Sequence, residues 1–234
     1  MKILGYMQLH NEERFALASL NAIIDIVDDM ILVIDRCEDD TVRQLGGYTN
    51  QLETRIIAPG DEQYEEKLIA SWKSLFVDYL EYDWIFVVRG DEVYHPSILG
   101  LKNLLSKKPI GDVTHIIGHT LFVNSEDYCS YTAPASSMYG YTTTQLYNNS
   151  ECAEVIEATP WGPTKIKYTG GSKVIFDLRN SVPVFGGLTS FHFHNLKRSS
   201  LESFERKPSL TETYYDADII VNDISVNEHL KGSV

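Results

Sequence analysis

Hydrophobic and polar positions in the first hundred residues form a repeating pattern of short apolar runs and longer amphipathic stretches. The short runs predict buried strands, and the stretches that repeat their apolar residues every three or four positions predict helices. Because strands and helices alternate, we expect an α/β fold with a Rossmann-like, mostly parallel sheet and right-handed crossovers. The predicted strands are 2–9, 30–34, 55–58 and 84–88, and the predicted helices are 16–27, a segment from 42, 63–82 and 96–106.

The run Trp84 to Val88 is apolar throughout, which is typical of a strand buried on both faces. It is followed, after two residues, by adjacent carboxylates at Asp91 and Glu92. The first strand likewise ends in His10-Asn11-Glu12, and the second ends in Asp35. Open α/β sheets bind ligands at the carboxyl ends of their strands, and carboxylates there suit a divalent cation beside a phosphate. The pattern therefore predicts a polar site at one edge of the sheet.

After Pro109 the patterns become shorter, and we expect a smaller, loop-rich half in one continuous domain, divided as 1–110 and 111–234. Phe191-His192-Phe193-His194 alternates strictly, so its two phenylalanines should share one face and its two histidines the other. The other predictions for this half are a strand at 115–123, loops over 128–147, a hairpin of 164–168 with 173–178, and a helix at 199–206.

Composition and charge narrow the class of protein. The chain has 234 residues, of which 43% are hydrophobic and 23% charged, as in an ordinary globular domain. A net charge of −13 argues against nucleic-acid binding, although one cation and a few basic side chains can still hold a nucleotide. Three widely spaced cysteines indicate reduced thiols. With no signal-peptide pattern and no apolar run near the ~20 residues of a membrane span, we expect a cytoplasmic protein.

Five passages together resemble one enzyme family. Met7 to Glu13 is a hydrophobic strand that closes in Asn-Glu, Asp35 to Thr41 is similar to an Asp…Ser-x-Asp-Gly-Thr segment, and Lys73 is a basic residue on the helix before the next strand. Trp84 to Glu92 resembles a strand that ends in Asp-x-Asp. A weaker likeness is 192–197, a His-aromatic pair followed by a basic residue. These passages resemble GT-A-type glycosyltransferases of the broad family-2 kind.

The resemblance implies a function for each half of the chain. Residues 1–110 would be the half that binds the nucleotide sugar, and 111–234 the acceptor-binding half with a C-terminal metal and diphosphate segment. The implied activity is that of a metal-dependent, hexosyltransferase-type enzyme. Its donor would be a nucleoside-diphosphate sugar, most simply a UDP-sugar, its cofactor Mn²⁺ or Mg²⁺, and its acceptor a glycan or another hydroxyl compound. No nucleic acid and no membrane span are expected.

The candidate nucleotide and metal residues lie at the predicted strand ends and in the weaker C-terminal match. Asp35 is suited to the base or ribose, because a carboxylate at a strand end can accept two hydroxyl hydrogens. For the cation, we expect Asp91 as the first ligand and His192 as the second, with His194 as its rival; a histidine ligand favours Mn²⁺ over Ca²⁺. The predicted nucleotide-binding residues are Leu9, His10, Asn11, Glu12, Asp35, Lys73, Arg89, Gly90 and Lys197.

An inverting enzyme also needs a base that deprotonates the acceptor hydroxyl. The second half offers acids on either side of its tyrosine-rich stretch, and from these we select Asp127 and Glu157 as catalytic candidates. Trp161 either stacks on a sugar face or packs within the loop-rich half. For Glu12 and Asp35, the structural alternative is an acid placed at a helix N-terminus, where the helix dipole favours it.

Arg89 is a departure from the family pattern, because it stands where the first Asp of Asp-x-Asp is expected. A guanidinium there can meet phosphate or ribose oxygens directly, but the metal loses one carboxylate. This departure favours one alternative, a catalytically inactive relative that binds sugar nucleotides. A nucleotidyltransferase would need a Gly-rich basic loop after the first strand, and a haloacid-type phosphatase two Asp there; 9–12 contains neither.

Overall fold

The computed structural model describes residues 1–107, 115–117, 119–123, 128–131, 145–149, 152–168, 174–176, 189–193, 198–202 and 213–216. Its helices are α1 (Ala16–Asn21), α2 (Thr41–Leu45), α3 (Tyr48–Gln51), α4 (Tyr64–Asp78) and α5 (Leu101–Lys107), the last preceded by a 3₁₀ turn at Pro96–Gly100. Its strands are β1 (Ile3–Leu9), β2 (Asp29–Asp35), β3 (Glu53–Ile57), β4 (Trp84–Arg89), β5 (Glu92–Tyr94), β6 (His115–Ile117), β7 (His119–Val123), β8 (Tyr128–Tyr131), β9 (Gln145–Asn148), β10 (Cys152–Thr159), β11 (Gly162–Tyr168), β12 (Val174–Phe176), β13 (Thr189–His192) and β14 (Thr213–Asp216).

The larger sheet has the strand order β12-β6-β9-β4-β1-β2-β3. Strands β4, β1, β2 and β3 are parallel to one another. Strand β9 runs antiparallel to both of its neighbours, β4 and β6. The predicted α/β class with a Rossmann-like, mostly parallel sheet is therefore confirmed. From β1 the chain moves outward to β2 and β3, and then returns to the other side of β1 as β4. The β1–β4 border is thus the point where the strand order reverses, which is where open α/β sheets bind ligands.

Two hydrophobic cores cover the two faces of this sheet, because alternate side chains of each strand point to opposite faces. On one face Ile3 and Met7 belong to the core that includes Leu20 of α1. On the other face Leu4 and Tyr6 belong to the core that includes Trp72, Leu75 and Phe76 of α4. Burial of each such side chain contributes about 1.5–3 kcal/mol. The central strands are therefore held rigidly, and so are the residues that follow them.

A second sheet, with the strand order β14-β8-β7-β13-β5, lies against the strand ends of the first. Strand β5 begins directly after β4 and pairs antiparallel with β13, so that His192 faces Glu92 across the ladder. The Phe193 N–H also donates to the Asp91 carbonyl at 2.8 Å, and the Phe193 ring stacks on Phe15 at 4.4 Å between centroids. The later part of the chain therefore returns to the carboxyl edge of the first sheet.

Several predictions for the second half are wrong. The single strand expected at 115–123 is two strands, β6 in the first sheet and β7 in the second. The hairpin expected between 164–168 and 173–178 does not form, because β11 pairs with β10, and β12 pairs with β6. The stretch 128–147, predicted as loops, contains β8 and part of β9, and its residues 132–144 lie outside the described residues. Strand β6 pairs with β9 and β12, and β9 also pairs with β4, so these partners lie far apart in the sequence and local periodicity does not indicate them.

Two helices also differ from their predictions. Helix α1 ends at Asn21, not near residue 27, although Ile23, Ile26 and Val27 are still buried in turns that follow it. The helix predicted from 199 is not seen where the chain is described, because 199–202 form a bend and turn; 203–206 lie outside the described residues. In the described part of the chain, every helix is too short or too polar to cross a bilayer.

Candidate functional site

A cavity of about 380 Å³ opens at the β1–β4 border. Its floor comes from the last residues of the two strands, where Gln8 pairs in register with Arg89. Three of its charged side chains, Glu12, Asp91 and Arg198, contact one another and form what we call the polar end. Trp72 of α4, which contacts the β10–β11 turn, and Trp161 of that turn form the aromatic end. The lining residues are Gln8, His10, Glu12, Trp72, Val87, Val88, Arg89, Asp91, Trp161 and Arg198.

Asp91, which lines the cavity, is in contact with His192, which does not: Asp91 Oδ2 lies 3.3 Å from His192 Nε2. Both side chains are buried, and the pairing of β5 with β13 fixes their backbones. Burial alone would raise the pKa of the Asp91 carboxyl, but the neighbouring His192 and Arg198 outweigh it and hold that pKa well below its usual range. Asp91 therefore stays ionised. The carboxylate and the imidazole, a hundred residues apart in sequence, form one cluster.

The same carboxylate oxygen is also in contact with Arg198. Arg198 Nη1 lies 3.1 Å from Asp91 Oδ2 and 3.5 Å from Glu12 Oε1. The sequence prediction selected Lys197 as the basic residue and missed Arg198 beside it. The signal was the Lys-Arg pair that follows the histidines, but the periodicity did not indicate which of the two faces the strand ends. Lys197 and the rival ligand His194 lie outside the described residues.

Glu12 is buried under the cluster at the start of α1. Its burial, together with the charge of nearby Asp91, raises the pKa of the Glu12 carboxyl well above its usual range. It accepts a hydrogen bond from the His10 N–H at 3.1 Å. Gly90 allows this close packing, because a Cβ on Gly90 would lie 2.1 Å from Glu12 Oε2 and 2.4 Å from Leu9 Cδ2. A residue without a side chain is therefore required between β4 and Asp91.

Asp35 is fully buried at the end of β2. Its carboxylate accepts from Arg36 Nε at 2.8 Å, and from Gln8 Nε2 at 3.5 Å. The Arg36 guanidinium lies over the Tyr64 ring, 3.5 Å from its centroid. Asp35 itself does not line the cavity. Gln8, which donates to Asp35, does line the cavity. Asp35 is therefore placed to orient the Gln8 side chain in the cavity wall.

The remaining predicted residues are placed as follows. His10 and Arg89 line the cavity, whereas the Leu9 side chain is in the hydrophobic core. Asn11 has a left-handed backbone with φ 54°, and its side-chain oxygen accepts from the Glu38 N–H at 2.8 Å, so it shapes the loop. Lys73 is on the exposed side of α4, away from the cavity lining.

Glu157, one of the two catalytic candidates, does not line the cavity. Glu157 is exposed on β10, on the hairpin whose turn carries Trp161. Asp127 lies outside the described residues. The catalytic role of each stays a prediction.

The described residues do not contain a complete metal site, since no group of three or more His, Cys, Asp or Glu side chains converges among them. Asp91 and His192 nevertheless offer one oxygen and one nitrogen, 3.3 Å apart. In octahedral coordination, two adjacent ligand atoms each lie about 2.1 Å from a small divalent cation, and their bonds to it form a right angle. The two ligand atoms are then roughly 3 Å apart. Such cations commonly take one or two protein ligands and complete their shell with phosphate oxygens and water. The pair therefore fits a cation shared with a diphosphate.

No protein-family model matches the sequence, and none of the curated proteins matches it by sequence. The chain is similar in structure to S. aureus TarS 1–349 in complex with UDP, at 15% identity and a TM-score of 0.45, over 64% of this chain and 47% of that one. It is also similar to glucosyl-3-phosphoglycerate synthase from Mycobacterium tuberculosis. With Mn²⁺, UDP-glucose and phosphoglyceric acid, that structure matches at 16% identity and a TM-score of 0.37, over 51% of this chain and 43% of that one. With Mg²⁺ and UDP, it matches at 12% identity and a TM-score of 0.49, over 82% and 71%. The chain thus spans less than half of the first two structures.

Proposed function

We propose that this protein is a metal-dependent glycosyltransferase that moves a sugar from a UDP-sugar to a hydroxyl group of an acceptor. The observation that carries the proposal is the cavity at the strand-order reversal, whose lining includes the buried carboxylate of Asp91, paired with the imidazole of His192. That position suits a nucleotide, and that pair suits a cation bound to a diphosphate. The motifs at 7–13 and 84–92, which resemble those of family-2 enzymes, point to the same reaction.

The side chains at and beside the polar end have separate tasks. Asp91 and His192 would hold Mn²⁺ or Mg²⁺, which when bound neutralises the charge that grows on the leaving diphosphate. Arg89, in the cavity wall, donates a fork of hydrogen bonds to phosphate or ribose oxygens. His10 is held in place because its Nδ1 contacts the Asp35 carbonyl oxygen at 2.7 Å, which leaves its other ring nitrogen for the ligand.

The aromatic end of the cavity is suited to a sugar ring. Trp161 is 60% exposed and lines the cavity from the β10–β11 turn. Trp72 anchors that turn, since its Nε1 donates to the Pro160 carbonyl at 3.3 Å. An exposed indole face in the lining of a cavity is a stacking surface for a pyranose. We therefore assign nucleotide binding to 1–110 and acceptor binding to 111–234, with Asp127 or Glu157 as the base.

A thermal-shift titration tests the nucleotide and the metal together. We expect UDP with millimolar Mn²⁺ to raise the melting temperature, because a ligand that binds only the folded state stabilises it by ~2.7 kcal/mol at a hundred times its Kd. In EDTA the shift should be small. UMP is the matched control, since it lacks the second phosphate. Equal UDP affinity in EDTA and in Mn²⁺ would show that binding does not depend on the metal.

A second assay separates an enzyme from a binding protein. With a UDP-sugar and Mn²⁺, a transferase releases UDP slowly by hydrolysis even without its acceptor. If the protein binds UDP but releases none from several UDP-sugars, it is the inactive sugar-nucleotide-binding relative that Arg89 favours.

Asp35→Ala should weaken UDP binding by about 1–3 kcal/mol, the cost of losing a charge-assisted hydrogen bond in a buried site. This loss would free Gln8, which the carboxylate holds at the cavity wall, and also Arg36, which does not line the cavity. Calorimetry of UDP binding measures the effect, and Asp40→Ala, at an exposed carboxylate paired with Arg43, is the matched control. Unchanged UDP affinity in Asp35→Ala would mean that Asp35 does not support the nucleotide.

A further inference from the structure

Arg198 is a mostly buried cation beside the place where the proposed metal would bind. Its side chain is only 15% exposed. Besides Asp91 and Glu12, it contacts a third carboxylate, Glu202, with Nη2 3.5 Å from Oε1. Its Nε makes no hydrogen bond to any residue that the structure describes. The guanidinium therefore neutralises the acidic cluster, and these carboxylates do not use its Nε donor.

The backbone around Arg198 is built to hold it there. The Arg198 carbonyl accepts from the Arg14 N–H at 3.2 Å, and its own N–H donates to Glu202 Oε2 at 2.7 Å. The next residues are also anchored, because Ser199 is fully buried and the Ser200 N–H donates to Glu13 Oε1. The segment 198–202 is thus fastened to the start of α1, so the position of Arg198 is a property of the fold.

Arg198 and a metal ion would compete for the same oxygen. Asp91 Oδ2 is 3.3 Å from His192 Nε2 and 3.1 Å from Arg198 Nη1. A divalent cation ligated by Asp91 and His192 would sit beside a positive guanidinium in a buried site, where like charges repel strongly. Either Arg198 leaves Asp91 or the metal binds weakly.

We propose that Arg198 is a built-in counter-ion that competes with the divalent cation for Asp91 and gives way when a diphosphate arrives. This inference rests on the proposed function. The diphosphate offers new acceptors to the guanidinium fork, so Arg198 exchanges Asp91 for a phosphate oxygen while Glu12 and Glu202 keep holding it. The released carboxylate oxygen then binds the metal. The nucleotide therefore raises the affinity for the metal, and by thermodynamic linkage the metal raises the affinity for the nucleotide by the same factor.

The test is the affinity for Mn²⁺ alone, measured from the electron paramagnetic resonance signal of free Mn²⁺ without nucleotide. We expect Arg198→Gln to bind Mn²⁺ at least ~10-fold more tightly than the wild type, since the competitor is gone. UDP should tighten Mn²⁺ binding more in the wild type than in this variant. Arg43→Gln, which removes an exposed arginine paired with Asp40 on the surface, is the charge-matched control and should behave like the wild type.

Stability supplies a second readout. Without Arg198 the buried carboxylates lose their counter-ion, so Arg198→Gln should melt at a lower temperature in EDTA and recover in Mn²⁺ more than the wild type does. If this variant does not fold, Arg198→Lys replaces it. Lysine keeps the charge without the rigid fork and should leave Asp91 more readily, with Mn²⁺ binding at least threefold tighter.

Unchanged Mn²⁺ affinity in the Arg198 variant that folds would overturn the inference and make Arg198 a structural ion pair. Absence of Mn²⁺ binding in both proteins would overturn it as well, and with UDP binding intact it would leave a metal-independent transferase. If the Arg198 variant gains Mn²⁺ affinity but the wild type does not bind UDP, the proposed function fails while the competition stands.

Discussion

Asp91→Ala and His192→Ala are each expected to slow sugar transfer at least ~100-fold, and the double variant should be little slower than either one. A loss of this size is typical when a principal electrostatic group is removed from an active site. The two side chains are 3.3 Å apart and buried together, so both would hold the same cation. Residues that act through one ligand show losses that do not add. Steady-state rates of UDP release from a UDP-sugar with an acceptor measure the effect.

The control for these single and double variants is a substitution far from Asp91 and His192. Glu66→Ala changes an exposed acid on α4 and should keep normal turnover. If His192→Ala is active while His194→Ala is not, the second ligand is His194 and the assignment moves by two residues. If both histidine variants are active, the later half of the chain contributes no ligand. Fully additive losses in the double variant would mean that Asp91 and His192 act separately.

Gly90→Ala should lower the free energy of unfolding by about 1–3 kcal/mol, the usual cost of forcing extra volume into a packed site. Its new methyl group would lie 2.1 Å from Glu12 Oε2 and 2.4 Å from Leu9 Cδ2, so one of them has to move. Displacing the Glu12 carboxylate would also disturb its contact with Arg198, and UDP binding should weaken. Urea denaturation gives the first effect and calorimetry the second.

Gly100→Ala is the matched control for this substitution. A Cβ on Gly100 meets no atom within 4 Å, and its backbone is not in the left-handed region. An alanine there should be neutral, or stabilising by up to about 1 kcal/mol, because it restricts the unfolded chain. If both glycine variants have the stability of the wild type, the close packing of Glu12 on Gly90 is not needed.

The first half of the fold could be predicted from the sequence because its signals are local. Strands β1, β2 and β4 are apolar runs buried on both faces, and the stripe of Leu68 and Trp72 on α4 repeats at helical spacing. Because these strands are parallel, their carboxyl ends lie at the same edge of the sheet. Glu12 and Asp91 could therefore be placed at one edge before the structure was known.

The second half could not be predicted in the same way, since its order depends on contacts between distant segments. Strands β6 and β12 have three residues each, and their partners lie far away in the chain. The alternation at 191–194 indicated a strand, but not that His192 is as buried as the phenylalanines beside it. Arg198 was missed because its importance comes from ion pairs with Glu12 and Asp91, which no local pattern records.

The central claim is that a nucleoside diphosphate and a divalent cation bind together at the β1–β4 border. A crystal structure with UDP and Mn²⁺, with the metal located by its anomalous signal, tests it most directly. The account predicts a Mn²⁺ peak bonded to Asp91 and His192, the diphosphate in the cavity beside Arg89, and Arg198 on a phosphate oxygen. A nucleotide bound outside this cavity, or a Mn²⁺ ion that touches neither Asp91 nor His192, would contradict the account.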